Sequence, residues 1–261
     1  MKQERNNFGV LLGCPTLGKA KAFLSAKDIK PRIDEVFLKE LTTRCAMVFK
    51  RLNAAVNPDI SHDDIEGFIR TNINHTASKL AEAGLLDKFN NHGRRSECMA
   101  YNWLRGFAVL MFFMPTVSKI FGVRLEDITF AGKDHEMDAA TFKKSPLADI
   151  SIKSGLKVEI QAGFQNKNDL KKHKIIEALK QFNASSSRTI LIHFDLFNGK
   201  AAVIDITILG RKKLKYQARA AMEGKEVFAL PPHFFNWDLT KAIPGKVLTL
   251  GKNAAKRSCR S

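Results

Sequence analysis

Hydrophobic positions in the first half of the chain recur at helical spacing. From residue 31 to about 56, Ile33, Phe37, Leu41, Val48 and Leu52 fall on one helical face, and Pro31 suits a first turn, where its missing N–H is no loss. A second helix is expected from Ser61. There Ser61-His62-Asp63-Asp64 sets an acid three residues after a capping serine, and Ile65, Phe68, Ile69 and Ile73 follow as a stripe. Gly84 and Gly93 bracket its end. A third helix, from about residue 94 to 120, is apolar around much of its circumference between Trp103 and Met114, which predicts a central position.

After Gly122 the period drops to two. Residues 124–131, 147–153, 156–164, 189–196 and 201–209 each predict a strand. Between the third and fourth of these, residues 168–182 carry Leu170, Ile175, Ile176 and Leu179 at helical spacing, with lysines on the other face. The order helix, strand, strand, strand, helix, strand predicts an α/β (α+β) protein, with a mixed central sheet flanked by helices and an N-terminal helical region.

Composition narrows the partner. The 261 residues are 44% hydrophobic, enough for a sizeable core, and 43 Lys and Arg against 26 Asp and Glu leave a formal charge of +17. An excess of this size calls for a polyanion, and nucleic acid is the default partner of such a chain. Cys14, Cys45, Cys98 and Cys259 form no C-x-x-C pair and read as reduced thiols, which exclude a zinc ribbon or disulfide framework. The first residues mix charges with a three-residue apolar run, too short for the core of a signal peptide, and the longest unbroken apolar run, residues 107–114, is too short to span a bilayer. A cytoplasmic protein without a membrane partner is expected. No H-E-x-x-H, phosphate-binding G-x-x-x-x-G-K-S/T loop or G-x-S-x-G elbow occurs, which argues against zinc, a nucleotide cofactor and serine-hydrolase chemistry.

The most informative stretch runs from Pro146 to Phe164, P-L-A-D-I-S-I-K-S-G-L-K-V-E-I-Q-A-G-F. Alternation puts Ala148, Ile150 and Ile152 on one face of the first strand and Asp149, Ser151 and Lys153 on the other. On the second strand Val158, Ile160 and Ala162 share the apolar face and Glu159 and Gln161 the polar one. Keeping both apolar sets on one side of the sheet requires paired residues of equal parity. That excludes a two-residue loop and predicts a three-residue loop of Lys153, Ser154 and Gly155, with Gly155 left-handed. Ile152 then faces Leu156, and Asp149 sits across from Glu159 with Cβ atoms roughly 5 Å apart. Two facing carboxylates repel, and a divalent cation such as magnesium, which prefers oxygen ligands, removes the conflict.

This arrangement resembles the PD-(D/E)-x-K nuclease superfamily, in which an Asp at the start of one strand and an acid on the next hold magnesium, with a Lys two positions later. Here the proline is three residues before Asp149, and Glu159-Ile160-Gln161 has glutamine where the lysine belongs, which is similar to the E-x-Q variant of some type II restriction endonucleases. The likeness covers roughly residues 93–209. It implies a restriction-endonuclease-like core, a Mg2+ ion held by Asp149, Glu159 and the Ile160 carbonyl, a water oriented by Gln161, and a further acid, Glu97, on the preceding helix. It also implies a homodimer cutting both strands of a double-stranded DNA site. The expected division is residues 1–92 for dimerisation or DNA grip, 93–211 for the catalytic core and 212–261 as a basic region packed on or extending it.

Lys167, Lys171, Lys172 and Lys174, and also Arg211, Lys212, Lys213 and Lys215, are candidates for contacts to the DNA backbone, which add salt-dependent affinity without sequence information. Asp134, His135, Glu136 and Asp138 form an acidic cluster before the hairpin, read as an exposed loop or an additional group near the metal. Pro58-Asp59 precedes a helix and not a strand bearing E-x-K, and Asp205 reads as an edge or surface residue. Two other readings compete. One is a repair, recombination or junction-resolving nuclease of the same fold; the other is a non-catalytic DNA-binding protein whose hairpin acids are ordinary surface charges.

Overall fold

Covered on both sides, a strand must be apolar along its whole length, and residues 189–195 (T-I-L-I-H-F-D) are buried without exception. This strand is the middle of the protein. The computed structural model describes residues 7–30, 35–86, 95–131, 149–165, 167–219 and 224–245. Its strands, in chain order, are β1 (Ile128–Phe130), β2 (Ile150–Ile152), β3 (Lys157–Gly163), β4 (Asp169–Lys171), β5 (Thr189–Asp195), β6 (Lys200–Asp205), β7 (Gln217–Arg219), β8 (Lys225–Ala229) and β9 (Trp237–Asp238). Among the described residues they form a sheet of order β1-β2-β3-β5-β6-β9 and a smaller one of order β4-β8-β7. β3 and β5 run parallel, joined by a helical crossover, and the other neighbours are antiparallel. The protein is thus a mixed α+β protein whose mixed sheet is flanked by helices.

The helices are α1 (Asn7–Leu11), α2 (Leu17–Ser25), α3 (Glu35–Ala55), α4 (Ile65–Ile69), α5 (His75–Glu82), α6 (Ser96–Phe121), α7 (Lys172–Ser185) and α8 (Ile206–Gly210), with a π-helical turn, Arg70–Asn74, joining α4 to α5. Alternation divides β5 between two cores. Ile190, Ile192 and Phe194 join α3 and α6, where Phe113 stacks on Phe194 at 3.6 Å between ring centroids. Leu191 packs on the opposite side with Ile175 and Ala178 of α7 and Ile206 and Leu209 of α8. The larger core is continuous from Phe8 and Leu24 through Phe49 to Trp237, so the N-terminal helices, the sheet and β9 share it.

Several local expectations are corrected. Residues 201–209 do not stay extended: β6 ends at Asp205, whose carboxylate accepts the Ile208 N–H at 3.0 Å and starts α8. Asp205 is therefore a buried cap paired with Arg188, not an edge or surface residue. Residues 124–131 begin as a 3-10 turn before β1, and residues 168–182 begin as β4 before α7. Asp64 and not Ser61 caps the second helix, accepting the Gly67 N–H at 2.8 Å, because Ser61 is held in the preceding turn by the Pro58 carbonyl. The eight-residue apolar run understated α6. By length and composition α6 is the one helix among the described residues that could cross a membrane, and 44% of its most apolar window is buried inside the protein.

The β2–β3 hairpin has the expected register. Ile150 pairs with Val158 and Ser151 with Lys157, the Ile152 N–H reaches Leu156 O at 2.8 Å, and Lys153, Ser154 and Gly155 form the loop. Gly155 has φ +85°. A side chain there would strain the left-handed backbone, so Gly155→Ala is expected to cost about 1 kcal/mol. A lower urea midpoint at unchanged slope checks it.

Candidate active site

Continuing the β2–β3 register by one step sets Asp149 opposite Glu159. The ladder gives way there to a side-chain contact: Asp149 Oδ2 accepts the backbone N–H of Ile160 at 2.7 Å, while the Asp149 carbonyl accepts the Ala131 N–H at 3.1 Å. Asp149 is fastened to the chain on both sides. In an extended strand the N–H and C=O of one residue point the same way, so the Ile160 carbonyl faces the same side as the amide that Asp149 holds.

Glu159 is only 4% exposed and lies on the α7 side of the sheet. Its Oε1 accepts from Gln161 Nε2 at 3.1 Å and its Oε2 from Lys174 Nζ at 2.8 Å. The E-x-Q segment has no lysine of its own, yet an ammonium stands on its glutamate, supplied by the first turn of α7. The chain reaches that position because, after β3, β4 pairs with β8 in the smaller sheet, and α7 then sets Lys174 on Glu159 of β3. Lys174 was expected along the DNA backbone; the structure sets it on the buried acid. Its signal was present in the sequence, since Lys174, Glu177 and Gln181 recur at i, i+3 and i+7 beside the buried Ile175 and Ala178. Lys174, Glu177, Ala178 and Gln181, together with Thr189 and Ile206, line a shallow cleft next to Glu159, with room for about one water molecule.

A second polar group lies farther along the same face and was not anticipated. Gln161 is in register with His193 of β5. His193 Nε2 contacts Asn168 Oδ1 at 3.0 Å, Asn168 Nδ2 donates to Asp195 Oδ2 at 2.8 Å, and Asp195 Oδ1 accepts the backbone N–H groups of Phe197 and Asn198 at 3.2 and 3.0 Å. Burial pushes the His193 pKa down to about 3. On α7, His173 is also shifted down, by partial burial and then by Lys171, Lys174 and Lys225, with Glu159 acting in the opposite direction. Positive charge is therefore concentrated beside the acid.

The other candidate residues are dispersed. Glu97 is bound by Arg95 at 3.0 Å, which lowers its carboxyl pKa. It belongs to α6, packed on the opposite face of the sheet, and it is not brought to Asp149 and Glu159. Lys172 pairs with Glu226 at 2.6 Å. Lys167, Lys212, Lys213 and Lys215 are exposed, and Arg211, also exposed, lies 4.6 Å from the centre of the Phe182 ring. Asp134, His135, Glu136 and Asp138, like Pro146, fall outside the described residues.

No three His, Cys, Asp or Glu side chains gather into a metal-binding group among the described residues. Two carboxylates and a backbone carbonyl nevertheless suit magnesium, which keeps several waters and takes few protein ligands. Models of known protein families, curated proteins and solved structures were all compared with the chain, and none matches it.

Proposed function

We propose that this protein is a magnesium-dependent endonuclease of double-stranded DNA, a type II restriction enzyme with a PD-(D/E)-x-K-like site. One arrangement carries the reading: Asp149, one step beyond the last pair of the β2–β3 ladder, is hydrogen-bonded to the amide of Ile160, the residue after Glu159, and Gln161 and Lys174 are both hydrogen-bonded to Glu159. The element order around them supports it. α6, three strands of the main sheet, the short β4, α7 and β5 follow one another, with β5 parallel to β3.

In this reading Asp149, Glu159 and the Ile160 carbonyl hold the metal. Magnesium there supplies a Lewis acid for the scissile phosphate and a bound water of lowered pKa. Asp149 is oriented by the Ile160 amide, and Glu159 by Gln161 and Lys174. Gln161 is neutral and cannot carry charge or act as a base, so its part is to fix Glu159 and hydrogen-bond the water. The formal charge of +17, concentrated in part around His173, would draw the DNA backbone to the site. Action on both strands of a symmetric sequence suits a homodimer.

Incubating the purified chain with a long linear duplex in magnesium, beside a chelator control, tests the proposal. Discrete fragments in magnesium alone are the expected result. Nicking confined to branched or damaged DNA would transfer the same site to repair or junction resolution. Binding without cleavage in any divalent metal would leave a DNA-binding protein with a structural Glu159–Lys174 pair.

A further inference from the structure

Two acids, a lysine and a threonine, Glu159, Glu177, Lys174 and Thr189, are among the residues that line the cleft under α7. Lys174 Nζ lies 2.8 Å from Glu159 Oε2, with the two side chains 18% and 5% exposed. Glu177 stands three residues farther along the helix, on the same side as Lys174, and its Oε1 accepts from Gln181 at 3.0 Å. Thr189 is 4% exposed, and its Oγ1 has no hydrogen-bond partner among the described residues. A buried hydroxyl without a partner is unfavourable. This one belongs to a cleft that Lys174 and Glu177 also line.

We infer that Lys174 is a movable counter-ion with two stations: it neutralises Glu159 while no metal ion is bound, and it shifts to Glu177 and the Thr189 hydroxyl when a divalent cation takes Glu159. The inference rests on the reading of Glu159 as a metal ligand. A buried carboxyl that stays ionised needs a compensating charge, and an ammonium and a dication repel when both press on one carboxylate. The flexible four-carbon stem of lysine permits the shift. Metal binding is then an exchange, and its affinity depends on how well the second station receives the ammonium. The displaced charge stays inside the site, where Gln161 supplies none.

Calorimetric titration of the full chain with Mn2+ alone, in the absence of DNA, tests the exchange. Lys174→Met is expected to bind Mn2+ roughly tenfold tighter than wild type or more, since no ammonium has to leave. Its melting temperature should also rise further on Mn2+ addition, because the ion restores a missing counter-charge. Thr189→Val should melt without metal at the wild-type temperature or above, as the hydroxyl it removes makes no hydrogen bond, yet bind Mn2+ roughly fivefold weaker. Lys174→Arg keeps the charge and serves where the Met variant does not fold. Its planar guanidinium grips a carboxylate with two parallel bonds and should leave Glu159 less readily than an ammonium, so Mn2+ binding should weaken. Equal Mn2+ affinity in wild type, the Lys174 variants and Thr189→Val, with binding abolished by Glu159→Gln, would overturn the two-station exchange and leave Glu159 a ligand. Absence of any Mn2+ binding that depends on Glu159 would overturn both the exchange and the metal site.

Discussion

Asp149→Asn is expected to lower magnesium-dependent cleavage of duplex DNA by roughly 10³-fold while leaving binding of the same duplex within a few-fold of wild type. The two effects separate because the groups are different. Cleavage in this reading depends on the carboxylate charge that holds the metal, whereas affinity comes from lysines and arginines on the backbone, each adding a salt-dependent increment. Asparagine keeps an acceptor for the Ile160 N–H, so the contact that fastens β2 to β3 survives while the charge is lost. Glu159→Gln should cost as much activity but is a less clean test, because it leaves Lys174 next to a neutral amide in a buried setting. Breaking a buried pair by removing one partner costs about 3–5 kcal/mol, and the partial exposure of Lys174 brings this toward the lower end. Its melting temperature therefore has to be measured beside its activity. Cleavage undiminished in Asp149→Asn would put the catalytic centre elsewhere.

The hairpin was readable in advance because strand parity leaves little freedom. Once Ile150, Ile152, Val158 and Ile160 must share a face, the loop length and the left-handed Gly155 follow, and the pairs Ile150–Val158 and Ser151–Lys157 are the expected ones, with the ladder ending one step before Asp149. The long helix α6 was readable for a similar reason, its apolar run being too broad for a surface helix. What stayed hidden depends on tertiary placement or on elements too short to show a period. β4 is three residues long, and without it nothing in the sequence turns α7 so that Lys174 lies on Glu159. Asp205 sits within an alternating V-I-D-I-T-I pattern that looks the same whether it continues as strand or is capped into a helix. Glu97 was given a role from its place in the order of elements. Order does not say which face of the sheet a helix covers, and α6 covers the wrong one for contact with Glu159.

Acid should destabilise the protein through His193, and the effect should disappear in His193→Gln. The Nε2 atom lies 3.0 Å from Asn168 Oδ1, and the Asn168 amide nitrogen is committed to Asp195, so the ring is the tautomer that donates from Nε2. Its Nδ1 is buried with no hydrogen-bond partner among the described residues. A proton added there would be an unsolvated, unpaired N–H⁺ beside the Phe235 ring, whose centroid is 5.5 Å away, and burial accordingly depresses the pKa from 6.5 to about 3. Between those two values the unfolded chain takes up a proton that the folded chain refuses. Stability contributed by the neutral ring is complete above pH 6.5 and is lost as the pH falls toward 3, by an amount on the order of 4–5 kcal/mol at the limit. Urea unfolding of wild type and His193→Gln at pH 7.5, 6.5, 5.5 and 4.5 isolates this contribution from that of the carboxylates, which titrate in both proteins. The stability difference should change by about 1.4 kcal/mol for each unit below pH 6.5. Parallel pH curves would mean that His193 is solvated or partnered in a way the fold does not provide.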